Sequence, residues 1–119
     1  MAKESLIRQK ATDKLLQDGW VINIPTRTRF GSSNTYWLDK KGDKERKGTD
    51  DIFSIIDLLA WKDNELLLVQ YTSKTGVLAR IKKINKFIKK HNIKIPDGVK
   101  IEVWGYENRV GFERVEEIN

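Results

Sequence analysis

The stretch DIFSIIDLLAWKDNELLLVQYTSK, residues 51–74, sets Asp51, Asp57, Gln70, Thr72 and Lys74 among apolar residues. A carboxylate, a second oxygen ligand and a nearby lysine make a set with a defined chemistry. Hard oxygen donors, such as the Asp57 carboxylate and the Gln70 carbonyl, hold Mg²⁺ or Mn²⁺. A metal so held lowers the pKa of bound water and stabilises charge on a phosphoryl transition state. A lysine such as Lys74 helps position the nucleophile and offsets charge on the phosphate. Asp57 is the sharpest signal. It lies between SII and LLAW, and a buried aspartate is costly unless paired or bound to a metal. The plainer account pairs it with an Arg or Lys, or leaves it at an exposed strand end.

Two strands have to position this set. Residues 51–61 read as one strand and residues 66–72 as the next, joined by the tight turn KDNE with Asp63-Asn64 at its tip. Alternation places Asp51, Phe53, Ile55, Asp57 and Leu59 on one face of the first strand. Leu66, Leu68, Gln70 and Thr72 share a face of the second, and Lys74 continues it. The hairpin therefore lets Asp57 approach Gln70, subject to register. Extended, Asp51 and Asp57 stand roughly 20 Å apart, too far to share an ion unless the strand bends or bulges. The uninterrupted apolar run of the second strand predicts a central position with both faces covered.

The other elements follow from periodicity. Leu6, Ile7, Ala11, Leu15 and Leu16 recur at helical spacing, so residues 3–17 are predicted helical, with Gly19 as the stop. WVINI reads as a first strand ending at Pro25. The polar segment that follows, about 25 residues long, is long for a connection and reads as a loop with a short strand at 35–38. Residues 77–91 form a strongly amphipathic helix. Pro96-Asp97-Gly98 supplies turn chemistry, and IEVWGYENRVGFERV reads as a terminal hairpin turning near Asn108-Arg109. The order α-β-β-β-α-β-β predicts one α/β domain over residues 1–119, a mixed sheet flanked by helices.

Composition narrows the functional classes. The chain of 119 residues has no cysteine, which excludes disulfides and zinc–thiolate sites. Its N-terminus is charged and has no apolar signal core, and no apolar run approaches the ~20 residues that span a bilayer. These features predict a soluble cytoplasmic protein with no membrane partner. Lys and Arg number 23 against 17 acidic residues, a net charge of +6, with a pI near 9.6. Such a balance points to a polyanion, nucleic acid before membrane. A lysine-rich solubilising surface is the bland account of the same charge.

Distribution favours the first account. In GVLARIKKINKFIKKHN, Val77, Leu78, Ile81, Ile84, Phe87 and Ile88 fall on one arc. Lys82, Lys83, Lys86, Lys89 and Lys90 fall on the opposite arc, with Arg80 at its edge and no acidic residue between them. A helix selected for solubility alone mixes signs; this one segregates them, as a face that tracks phosphates would. Arg27, Arg29 and the mixed-sign DKKGDKERKG segment are candidates for a second contact surface. His91, the single histidine, sits at the helix end, where it reads as a carbonyl cap.

This arrangement resembles the PD-(D/E)XK nuclease superfamily. Within it, the small archaeal-type Holliday junction resolvase-like nucleases are similar in size and element order. The resemblance covers most of the chain: leading helix, Gly19-Trp20 and first strand, basic loop, Asp hairpin, basic helix. It implies a restriction-endonuclease-like fold, with an Asp ending one strand, Glu-X-Lys on the next and a divalent metal between them. Asp57 matches the aspartate, and Gln70-Tyr71-Thr72 lies where Glu-X-Lys would be. Gln70 offers a metal only a neutral carbonyl oxygen, and Thr72 supplies no charge. Lys74 stands two residues further on, and Lys83 on the helix is an alternative. The family's leading helix also contributes a Glu, for which Glu4 is the candidate here. A two-fold dimer is implied as well, with Trp104 and Tyr106 falling either to its interface or to the core.

Three functions follow as expectations. The first is a metal-dependent DNA endonuclease using Mg²⁺ or Mn²⁺, with branched DNA such as Holliday junctions as the implied substrate. In it Asp57, Gln70 and Lys74 are catalytic, Asp57 and Gln70 hold the metal, and Arg27, Arg29, Arg80 and the helix lysines bind DNA. The second is a catalytically reduced, nuclease-like DNA-binding module. The third is an interaction protein whose positive charge is incidental.

Overall fold

The computed structural model describes residues 4–25, 36–47, 52–53 and 55–119. Helix α1 spans Glu4–Gln17. Strand β1 is Val21–Asn23, β2 Tyr36–Leu38, β3 Lys44–Lys47, β4 Leu58–Lys62 and β5 Glu65–Ser73. A single 3₁₀ turn, Lys74–Gly76, leads into helix α2, Val77–His91, and strands β6, Val99–Glu107, and β7, Gly111–Ile118, complete the chain. The result is an α/β protein with a five-stranded mixed sheet ordered β1-β4-β5-β6-β7 and a separate β2–β3 hairpin.

The uninterrupted apolar run of β5 does take the central place. It pairs antiparallel with β4 and parallel with β6, whose residues come after the α2 crossover. Both of its faces are covered. Ile7, Ala11 and Leu15 of α1 pack with Leu58, Ala60, Leu67, Val69, Tyr71, Trp104 and Tyr106 on one side. Val77 and Ile84 of α2 pack with Ile55, Ile56, Ile101, Val103 and Ile118 on the other. Trp104 and Tyr106 are therefore core residues, each edge-on to Phe112 at 5.1 and 5.3 Å between ring centroids. Leu78, placed on the apolar arc by periodicity, is exposed.

Local chemistry sets the boundaries. Gly19 takes φ +88°, and the Gly19 and Trp20 amides donate to the Leu16 and Leu15 carbonyls, which closes α1 in a left-handed cap that only glycine adopts without strain. At the end of α2, Asn92 in the left-handed region caps the Ile88 and Lys89 carbonyls through its backbone N–H.

Two expectations need correction. Residues 51–61 do not form one strand. Ile52 and Ile56 are bridged by reciprocal backbone bonds of 2.7 and 3.0 Å, with Phe53 at φ +54°, so the chain turns before β4 begins. Burial of Ile55 and Ile56 under α2 draws this apolar run into the core instead of along the sheet. The estimate of an Asp51–Asp57 separation assumed a straight strand, which is not what forms; Asp51, like Arg27 and Arg29, lies outside the described residues. The polar segment read as a loop contains β2, as expected, and also β3, so the order is α-β-β-β-β-β-α-β-β. Among the described residues, no helix is long and apolar enough to cross a membrane.

Candidate functional site

The β4–β5 register sets Leu58 opposite Val69, and the ladder continues one step further because the Asp57 amide donates to the Val69 carbonyl at 2.8 Å. That step brings Asp57 beside Gln70. Val69 and Tyr71 point into the α1 core, so Gln70 between them projects to the α2 face. Its Nε2 donates to Asp57 Oδ2 at 2.6 Å, and the Tyr71 backbone N–H donates to the same oxygen at 2.8 Å. Both side chains are buried, Asp57 at 6% exposure and Gln70 at 3%. Charge-assisted bonds to a carboxylate are what make such burial tolerable.

One atom of this pair is left over. Gln70 Oε1 is buried and, among the described residues, accepts no hydrogen bond. A stranded buried acceptor costs about 1–3 kcal/mol, a cost that a bound water or an ion would offset. A carboxylate and an amide oxygen are both hard donors of the kind that Mg²⁺ takes, alongside water and phosphate. In this geometry it is the amide Nε2 that faces Asp57 Oδ2, so Oε1 would join the carboxylate on an ion only after the amide turns over. Among the described residues, no group of three His, Cys, Asp or Glu side chains converges to form a larger cage.

The remaining candidates fall into two sets. Thr72 lies under the 3₁₀ turn, with its Oγ1 2.6 Å from where a Cβ on Gly76 would stand. Lys74 turns away from Asp57 toward the far edge of the sheet. Its Nζ lies 2.8 Å from Glu113 Oε2 on β7 and 4.0 Å from Glu107 Oε2 on β6. The hydrogen bond and charge of Glu113 hold the Lys74 ammonium above its ordinary pKa of 10.5. Glu4 opens α1, which covers the face opposite Asp57 and Gln70. Residue spacing does not mark Glu107 and Glu113 as partners of Lys74, since both are far away along the chain.

On α2, Lys82, Lys86, Lys89 and Lys90 are exposed, while Lys83 and Arg80 are half-buried on the flanks. Among the described residues, Lys82, Lys83, Lys86 and Lys89 enter no ion pair. His91 lies against Phe87, 4.7 Å between ring centroids, and the capping of the last carbonyls falls to Asn92. The close approach of α2 to the sheet depends on Gly105: a Cβ there would meet Val77 Cγ2 at 2.6 Å and Lys74 Cα at 3.2 Å. One glycine thus fixes the height of both the basic helix and the Lys74 turn above β6.

No protein-family model matches this sequence, and no curated protein matches it significantly.

Proposed function

We propose that this protein is a metal-dependent DNA endonuclease of restriction-endonuclease-like architecture, hydrolysing phosphodiesters and acting on branched DNA as a two-fold dimer. The observation that carries the reading is the buried Asp57–Gln70 pair with its orphaned amide oxygen, on the face of the sheet that α2 covers. Asp57 and Gln70 would hold Mg²⁺ or Mn²⁺, and such an ion supplies an acidified water and offsets charge on the phosphate. The residues around it have separate tasks. The Tyr71 N–H orients the Asp57 carboxylate. The α2 lysines hold the DNA backbone, a contact that gives affinity without reading sequence. Lys74 exchanges Glu113 for the scissile phosphate; the pair is half exposed, and exposed pairs are weak enough to be exchanged.

A second reading is favoured by a specific observation. In the geometry described, Gln70 Nε2 already satisfies Asp57, and Lys74 is held by two carboxylates. That arrangement suits a nuclease-like module that binds DNA and no longer cuts.

The test is cleavage of a four-way junction and of linear duplex with Mg²⁺ or Mn²⁺, beside a binding assay. The nuclease reading expects metal-dependent cutting that Asp57→Asn abolishes while binding persists. Binding with no cutting under any divalent ion would sink it in favour of the module. No salt-sensitive binding at all would remove both.

A further inference from the structure

We infer that the tip of the β2–β3 hairpin and the end of α2 together form a second phosphate-binding site, which extends the backbone-tracking face beyond the helix. The inference rests on the nucleic-acid part of the proposed function and not on cleavage. A concavity of about 240 Å³ lies between the two elements, walled by Asp39, Lys40, Lys41, Lys90, His91 and Asn92. At roughly 30 Å³ per water this volume holds about eight waters, room for a phosphate group that keeps part of its hydration.

The hairpin sequence mixes signs, yet the fold separates them. Asp39 Oδ1 accepts the backbone N–H of Lys41 at 2.9 Å and that of Asp43 at 3.0 Å. Its charge is thereby directed into the turn's own amides, chiefly that of Asp43, which hold its carboxyl below the ordinary value of 3.8. Asp43, the other acid of the tip, is exposed and forms no part of the wall. Lys40 and Lys41 are exposed and, among the described residues, enter no ion pair. They stand across the concavity from Lys90 of α2.

A helix C-terminus opposes an anion with about half a negative charge. Here Asn92 already caps the Ile88 and Lys89 carbonyls, which lessens that opposition, and the Lys40 and Lys41 ammonium groups are the cations the hairpin brings to the concavity. Geometry sets the extent of the track. From Lys82 to Lys90 the helix rises about 12 Å, which matches some three to four phosphates of one strand at ~3.4 Å each. The hairpin tip adjoins the helix end at the shared concavity, next to the last lysines of that track, and this continuity makes a nucleic-acid backbone, rather than an isolated anion, the occupant we infer.

The experiment compares duplex binding across salt concentrations for the wild-type protein, K40Q/K41Q, and K10Q/K14Q on α1, on the opposite face. The last pair removes the same net charge away from the site. The expected result is a several-fold loss of affinity at low salt for K40Q/K41Q, with the slope of log K against log salt reduced by about 1 to 2. K10Q/K14Q should keep the wild-type slope. Equal behaviour of the two variants, or a wild-type slope in K40Q/K41Q, overturns this inference alone. A wild-type protein that ignores DNA overturns it together with the proposed function. Binding of inorganic phosphate that depends on Lys40 and Lys41, without any change in duplex affinity, also overturns it, because it would make the site one for a free anion.

Discussion

Gln70 Nε2 and Asp57 Oδ2 stand 2.6 Å apart across a hairpin, with the oxygen of the same amide, Oε1, buried and unmatched among the described residues. Removing the carboxylate leaves Gln70 and the Tyr71 N–H without their acceptor in a place water does not reach. Asp57→Ala should therefore destabilise the fold by about 1–3 kcal/mol, read as a lower urea midpoint at constant m. A midpoint equal to wild type would mean the pair contributes nothing to stability.

Gln70→Glu places two carboxylates side by side in the same buried position, where like charges disfavour joint ionisation. We expect a lower melting temperature in chelator than wild type, by roughly 4–8 °C for each kcal/mol lost. Added Mn²⁺ should restore much of that loss, and should raise the melting temperature of the variant more than that of wild type. Indifference of both proteins to Mn²⁺ in this assay would argue against a metal at the pair.

Lys74 and Glu113 give a prediction with a defined sign. The folded pKa of Lys74 is raised above 10.5, chiefly by the Glu113 hydrogen bond. The contribution of the pair is present in full below the unfolded value and is lost as pH rises through the folded one. The stability difference between wild type and Lys74→Gln should thus be constant from neutral pH to about 10 and shrink above 10.5. In the nuclease reading, Glu113→Gln leaves the lysine only the longer contact with Glu107 and should raise the cleavage rate a few-fold; Glu113→Asp should not.

Asp39 behaves in the opposite sense. Its folded pKa lies below 3.8, so its hold on the turn is present above 3.8 and fails as pH falls through the lower, folded value. The Lys41 and Asp43 amide resonances should shift together below pH 3.8 and keep their positions above it. In Asp39→Asn the Lys41 amide should not titrate there.

Gly105→Ala tests the packing of α2. The new Cβ meets Val77 Cγ2 at 2.6 Å and the Lys74 backbone at 3.2 Å. Overpacking of this kind costs about 1–3 kcal/mol, and displacement of α2 should weaken DNA binding beyond what the loss of stability explains.

Much of this architecture was legible because it is local. The 3.6-residue period of Val77–His91 and the continuous apolar run of β5 marked both elements, and the KDNE turn announced the hairpin that carries Asp57 and Gln70, while its register came only from the fold. Three features were not legible. The Ile52–Ile56 turn has Phe53 at φ +54° among β-branched residues, with no Gly, Pro or Asn to announce it; tertiary burial overrode strand propensity. Strand β3 consists of KERK and shows no apolar alternation. The Lys74–Glu113 pair joins residues on opposite sides of the α2 crossover, a contact that spacing along one sequence does not reveal.

The parallel pairing at the centre of the sheet bears on how the chain reaches this state. Every residue of β5 from Leu66 to Ser73 pairs with one 33 positions further along, whereas β4–β5 and β6–β7 are hairpins. Each hairpin closes a short loop, but the seam between them must enclose α2 and its flanking turns first. Loop-closure entropy is spent there before contacts repay it, and such non-local pairing slows folding. The β5–β6 seam, rather than either hairpin, therefore carries the larger closure cost. Asp57 and Gln70 meet within the first hairpin, while Lys74 and Glu113 meet only when the second arrives.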